Sequence, residues 1–261
     1  MQAPIITFTT DWGTKDFFIG MVKGRILSEV PDANIIDITH NVTPYKIIYA
    51  TMVVRHACLN FPKETIHIID VNSEPKADQS FIIARYKGHY FICADNGLPY
   101  SVFGNECESI TRIPYTLGNS NSFIGLTLFT ELAIRLAKGE KPSSMGESHS
   151  QLLQRNLLEY NLRDNKLSVT IVHNDSYGNA YLGITRAKFE EIRNGREFIL
   201  DANGGKITTI SPYYTTDNED LALIESATGL LQIALYQSSA AQLLNLKSES
   251  SVQFTFKSKS E

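Results

Sequence analysis

The feature that most constrains this chain is a change of rhythm a little past its middle. Up to about residue 140, short β-branched runs alternate with segments of helical spacing. Beyond it, strand-like runs follow one another closely. Ile5–Thr9, Asn34–Ile38 and Ile66–Asp70 read as strands. Between the first two, Phe17, Phe18, Met21, Val22, Ile26 and Leu27 recur at a spacing that predicts one buried helical face, with Asp16 placed to cap it. A second helix is predicted over Lys46–Leu59, after Pro44 and Tyr45. Strand–helix–strand–helix–strand order requires crossovers, and so implies parallel pairing with helices on the faces. Phe81–Tyr86 and Tyr90–Ala94 flank Lys87-Gly88-His89 as a hairpin, and a helix near Leu128–Lys138 stops at Gly139. The expected N-terminal domain, residues 1–142, is α/β with a mainly parallel sheet.

Turn-forming residues cluster in Lys141–Gly146, which places a linker over 143–155. After it, Leu157–Leu162, Leu167–His173, Ala180–Thr185, Glu197–Leu200, Lys206–Ile210, Leu221–Ile224, Leu230–Leu235 and Val252–Phe256 are strand candidates. Only Ala187–Arg193 and Ala240–Leu244 read as helical there. Residues 156–261 are therefore expected to form a smaller all-β, barrel-like domain.

Composition sets the function classes aside one by one. A chain 43% hydrophobic and 20% charged is globular in character. With 24 basic against 28 acidic residues and no Lys/Arg-rich run, no nucleic-acid or anionic-membrane partner is expected. The opening MQAPIITFTTDWG lacks the basic and apolar regions of a signal peptide, and no apolar stretch reaches the roughly 18 residues of a membrane span. Cys58, Cys93 and Cys107 are odd in number and without CxxC spacing, which argues against disulfide, zinc or redox frameworks. The six histidines show no metal-ligand spacing, so no metal is expected. A cytoplasmic protein without a cofactor is the expectation.

GxxxxGK[ST], GxGxxG after the first strand, GxSxG and HExxH are all missing from the sequence. Three polar clusters remain. Thr10–Asp16 follows the first strand and His40–Tyr45 the second, at the strand ends where open α/β sheets bind ligands. Asn174–Asn179 joins two strands of the second half. Each cluster taken alone is ordinary turn chemistry.

In order, TFTTDWGTKDFFIGMVKGRIL, IIDITHNVTPYKIIYA, FPKETIHII, YFICADNGL and NDSYGN resemble the S-adenosylmethionine hydroxide adenosyltransferase family, relatives of the fluorinase and chlorinase enzymes. The resemblance runs from Ile5 to about Ala241. It implies a homotrimer with ligands bound between subunits, and attack of water or hydroxide on C5′ of S-adenosylmethionine, giving adenosine and methionine. The leaving group is a sulfonium that departs as a neutral thioether, so no general acid is needed. Alignment, ribose fixation and desolvation of the nucleophile are the demands.

By the same resemblance Asp11 is the ribose-binding carboxylate, Asp16 an acid near the methionine end, and Tyr45 an aromatic wall. Asp175 meets the methionine amine, Tyr177 and Asn179 fall on the aromatic and adenine-binding positions, Tyr214 stacks on adenine, and Ser226 grips the methionine carboxylate. The family's water-activating Asp-Arg-His set falls on Asn72, Gln79 and Ile124. Asn and Gln can orient water but cannot take its proton, and Ile does neither. This implies weakened turnover, with Asp70 a substitute only if the strand end is rearranged. The alternative is a noncatalytic protein that binds adenosine or S-adenosylmethionine. A structural trimer with a vestigial pocket is a third reading.

Overall fold

Strand β1 (Ile5–Thr10) pairs in parallel with β2 (Asn34–Thr39) on one side and β3 (Ile66–Asp70) on the other. This computed structural model describes residues 3–116, 123–155, 160–214 and 221–257. It divides into two units, Met1–Leu157 and Leu158–Glu261. The β1–β3 register sets Thr10 against Asp70, so the polar loops after β1, β2 and β3 leave the sheet at the same edge. The crossovers run through α1 (Phe18–Glu29) and α2 (Ile47–Ala57).

The first sheet is mixed rather than mainly parallel. Its order is β2-β1-β3-β5-β4-β6-β7. β4 (Phe81–Tyr86) and β5 (His89–Ala94) form the predicted hairpin, which the tight Lys87-Gly88 turn makes antiparallel. β6 (Ser109–Ile113) and β7 (Glu147–Ser148) then add antiparallel to β4 and to each other. Sequence patterning misses both, because β6 is five residues long and includes the charged Arg112, and β7 is only a pair. Within the stretch read as a linker, β7 is thus an edge strand, and a Cβ on Gly146 would collide with the Arg112 carbonyl.

Helix α1 buries Val22 and Ile26 but leaves Phe17, Met21 and Leu27 exposed, so its buried stripe is narrower than the spacing predicts. Asp16 does not cap it: Phe17 precedes the first turn and no side chain caps that end. A short α3 (Leu98–Phe103), which the pattern does not predict, follows Gly97. The fourth helix opens with a π turn over Gly125–Phe129, where Thr130 Oγ1 donates to the Gly125 carbonyl at 2.6 Å, and continues as α4 (Thr130–Ala137).

The second unit is a nine-stranded sheet curled into a half-barrel. β8 (Tyr160–Arg163), β9 (Lys166–Asn174) and β10 (Ala180–Thr185) come first, then the predicted helix, α5 (Arg186–Arg193). β11 (Phe198–Ala202), β12 (Gly205–Ile207), β13 (Ile210–Ser211), β14 (Leu221–Glu225) and β15 (Leu230–Leu235) follow. The one-turn α6 (Ala240–Leu243) and β16 (Ser251–Phe256) complete it. The start of the predicted Leu157–Leu162 strand lies outside the described residues. Leu167, Val169 and Ile171 of β9 alternate into a core with Phe189, Phe198, Phe254 and Phe256. That period of two is what a sheet covered on one face requires.

His67, in β3, is fully buried between Phe91 and Phe61, with Thr7 Oγ1 at 2.7 Å from Nδ1. Burial first, and His89 beside it second, push its pKa down to about 3. A depressed folded pKa gives stability that is present above the unfolded value near 6.5 and lost as pH falls toward 3. His67→Asn is expected to remove a slope of about 1.4 kcal/mol per pH unit between pH 6 and 4. Urea unfolding of both proteins across that range checks it, and parallel curves would contradict it.

Candidate functional site

Asp11 follows β1 directly, and its Oδ2 accepts the backbone N–H of Tyr45 at 3.0 Å and of Asn72 at 3.3 Å. Those residues lie in the loops after β2 and β3, both with left-handed backbone, φ 68° and 50°. One carboxylate oxygen thus ties three strand-end loops together, at positions that are uncommon for non-glycine residues. Burial raises the Asp11 pKa, the two amides pull it back, and Glu74 pushes it up again.

The loops enclose a cavity of about 340 Å³. Trp12, Phe18, Tyr45 and Phe123 form aromatic walls, with Pro44 and Ile124 beside them. The Trp12 and Phe123 rings meet edge to face at 5.0 Å. Behind Trp12 stacks His40 at 5.9 Å, its Nδ1 2.7 Å from Thr10 Oγ1 and its Nε2 3.1 Å from Asp37. The polar lining is Asp11, Asp70, Asn72, Ser73 and Glu74: three carboxylates and, among the described residues, no Lys or Arg.

Asp70 ends β3 in register and lines this cavity without any rearrangement of the strand end. Only 6% of it is exposed. Burial pushes its pKa up to about 7, helped by the charges of Asp11 and Glu74 and opposed by hydrogen bonds from Ser73 and Trp12. The carboxyl fits because residue 125 is glycine: a Cβ there would collide with Asp70 Oδ2 and Trp12 Cζ2. The π turn brings that glycine to the wall.

A second cavity, of about 630 Å³, lies in the C-terminal unit, with Tyr177, Tyr214 and Tyr236 among its walls and Asn179 at its polar edge. Leu235, Gln237, Ser238 and Ser239 complete it. Asp175 Oδ1 accepts the N–H groups of Tyr177 and Asn179, each at 2.9 Å, and Oδ2 accepts Asn179 Nδ2 at 2.9 Å. Asn179 Nδ2 also reaches the Tyr214 hydroxyl, at 3.3 Å, and Gln232 Nε2 reaches it at 2.9 Å. Gly178 is obligatory here, since its φ is 82° and a Cβ would strike Ser239.

Of the sequence-predicted residues, Asp11, Tyr45, Asp70, Asn72 and Ile124 meet in the first cavity, and Tyr177, Asn179 and Tyr214, with Asp175 behind them, in the second. Three lie elsewhere. Asp16 is exposed and lines neither cavity. Gln79 donates its amide to the Ser80 carbonyl and does not line the first cavity. Ser226 closes the β14–β15 turn with Thr228, at the end of β15 opposite the second cavity. Glu74 and Gln232 escape sequence reasoning, as do the cavity-lining place of Trp12 and the steric role of Gly125. Trp12 carried a signal, as the chain's single tryptophan placed directly after Asp11.

An α/β unit with its cavity at the carboxyl strand ends is followed by a β unit with an aromatic cavity. The chain belongs to the SAM hydroxide adenosyltransferase family: the model of its N-terminal domain matches residues 6–146 and that of its C-terminal domain residues 169–253. It is 28% identical to the (R)-S-adenosyl-L-methionine hydrolase of Methanocaldococcus jannaschii, over 93% of this chain and 92% of that one. The protein of the same name from Salinispora arenicola is 25% identical over 73% of this chain and 76% of its own length. In fold the chain is similar to an uncharacterized conserved protein from Thermotoga maritima, with TM-score 0.81, 24% identity, and coverage of 96% and 99%.

The raised pKa of Asp70 carries a stability consequence of known sign. Stability from such a group is fully present below the unfolded pKa and is lost as pH rises toward the folded value near 7. Asp70→Asn is therefore expected to raise Tm at pH 8 relative to wild type, with a gain that shrinks toward pH 4. Thermal melts at both pH values check this, and a pH-independent difference would contradict it.

Proposed function

We propose that this chain cleaves S-adenosylmethionine with water, giving adenosine and methionine. The observation that carries the reading is the first cavity, whose charged groups are all carboxylates, in a chain of the adenosyltransferase family. A sulfonium is a cation, and aromatic walls with carboxylates suit one. An anionic nucleophile such as a halide finds no cationic partner among the described lining residues.

The reaction assigns a task to each group. Asp11 holds the ribose hydroxyls through Oδ1, the oxygen that takes neither loop amide. Water attacks C5′, the C5′–S bond breaks, and its electron pair leaves with methionine as a neutral thioether. Asp70 takes the proton of the water, supplying what Asn72, Gln79 and Ile124 lack. A base with a pKa near 7 is matched to neutral conditions. The second cavity receives the adenine. No cofactor takes part, because the substrate carries its own leaving group.

The finer parts of the reading are a homotrimer that shares each ligand between neighbouring subunits, a division into domains at 1–142 and 156–261, and a cytoplasmic location. Among the described residues no helix is long and apolar enough to cross a membrane. Light scattering is expected to return three times the 29.2 kDa chain mass, and a monomer would contradict the shared site.

Activity is tested by incubating purified protein with S-adenosylmethionine and separating the products. Adenosine and methionine are expected in equal amounts. Asp70→Asn is expected to slow their release by about 10²–10⁴-fold, the usual worth of a positioned base. No adenosine from wild type, or undiminished release by the variant, would contradict the assignment.

A further inference from the structure

The chain leaves β5 through Asp95-Asn96-Gly97. Because β5 runs parallel to β3, Asn96 arrives at the same sheet edge as the loop that carries Asn72. Its side chain is buried, and both ends of its amide are engaged. Nδ2 donates to the Val71 carbonyl at 3.0 Å and to the Asn72 carbonyl at 3.2 Å. Oδ1 accepts the Leu98 N–H at 3.2 Å, where α3 begins. Two carbonyls cannot face the amide oxygen and an N–H cannot face the amino group, so the side chain has one orientation.

The Val71 carbonyl and the Asn72 N–H belong to one planar peptide group. Asn96 holds its oxygen, and Asp11 Oδ2 accepts its N–H at 3.3 Å. We propose that Asn96 is a positioning residue for the ribose carboxylate: it clamps the Val71–Asn72 peptide so that Asp11 Oδ2 stays tethered and Oδ1 stays aimed at the ribose diol. The inference rests on the reading of Asp11 given above. Asn96 lines neither of the two cavities, so it acts through the peptide and not by touching a ligand.

The clamp works against the local preference of the backbone. Asn72 has φ 50°, a left-handed value that is uncommon outside glycine. Turning the Val71–Asn72 peptide over would return φ to ordinary negative values and swing the N–H away from Asp11. Only the Tyr45 amide would then hold Oδ2. The turn is opposed because it would strip the Val71 carbonyl of the Asn96 donor, and an unpaired buried carbonyl is costly. A carbonyl that accepts a hydrogen bond also polarises its own peptide, which strengthens the N–H offered to Asp11.

Calorimetry of the full chain with adenosine and with 2′,3′-dideoxyadenosine tests the inference, because only the first carries the diol. Wild type is expected to favour adenosine by at least about tenfold, the order of one hydrogen bond to a charged group. In Asn96→Ala, with the fold verified by circular dichroism, the preference is expected to fall below about threefold as that bond is lost. The affinity for dideoxyadenosine is expected to stay unchanged, whereas a role in folding alone would weaken both nucleosides together and preserve the ratio. Coupling between sites is reciprocal, so in wild type the NMR signals of the Asn96 side-chain amide are expected to shift with adenosine and not with dideoxyadenosine. That second measurement needs no variant to fold. A folded Asn96→Ala that keeps the wild-type ratio, or Asn96 signals indifferent to the diol, overturns the Asn96 assignment alone. A wild type that binds both nucleosides equally, or neither, contradicts the ribose reading beneath it.

Discussion

A single carboxylate holds the first cavity together. Parallel pairing of β2, β1 and β3 delivers three loops to one edge of the sheet, but pairing alone does not shape them. Asp11 ties them, by accepting amides from Tyr45 and Asn72, both in left-handed backbone. Tyr45 and Asn72, which line the cavity from the second and third loops, are held by that anchor. The second cavity repeats the device, with Asp175 gathering the N–H groups of its own loop. In both units an aspartate is a scaffold for the polar groups around it.

The electrostatic character of the first cavity follows from its construction. Asp11 and Asp70 come from strand ends 59 positions apart in sequence, yet the β1–β3 register sets them beside each other. Asp70 is buried against Trp12 and the glycine of the π turn, and it has no cationic partner among the described lining residues. Such a carboxyl resists ionising until a cation arrives. In the proposed reaction a sulfonium would supply that cation, and its departure as a neutral thioether would remove it again.

Most of the architecture was legible because it rests on periodicity. The β-branched runs of β1 and β3, the Lys87-Gly88 hairpin and the alternating Leu167, Val169 and Ile171 each declare themselves locally. The mixed character of the first sheet was not legible, since β6 and β7 are short and acquire strand geometry only by pairing. The exposed Phe17 and Met21 show the same limit: helical spacing marks a face without saying what covers it. At the sites, Asp11, Tyr45, Asn179 and Tyr214 could be found from motif order. Asp70 was misjudged because counting residues along a loop does not reveal that a strand ends in register with its neighbour. Gly125 and Gln232 act through collisions avoided and an amide held, which no linear pattern records.

The central claim is that substitution at C5′ takes place between Asp11 and Asp70. A crystal structure of the chain with adenosine tests it most directly. The account predicts both ribose hydroxyls within hydrogen-bond distance of Asp11, with C5′ facing the Asp70 carboxyl across a space that admits one water. Adenosine bound with its ribose away from Asp11, or with C5′ turned from Asp70, would contradict it.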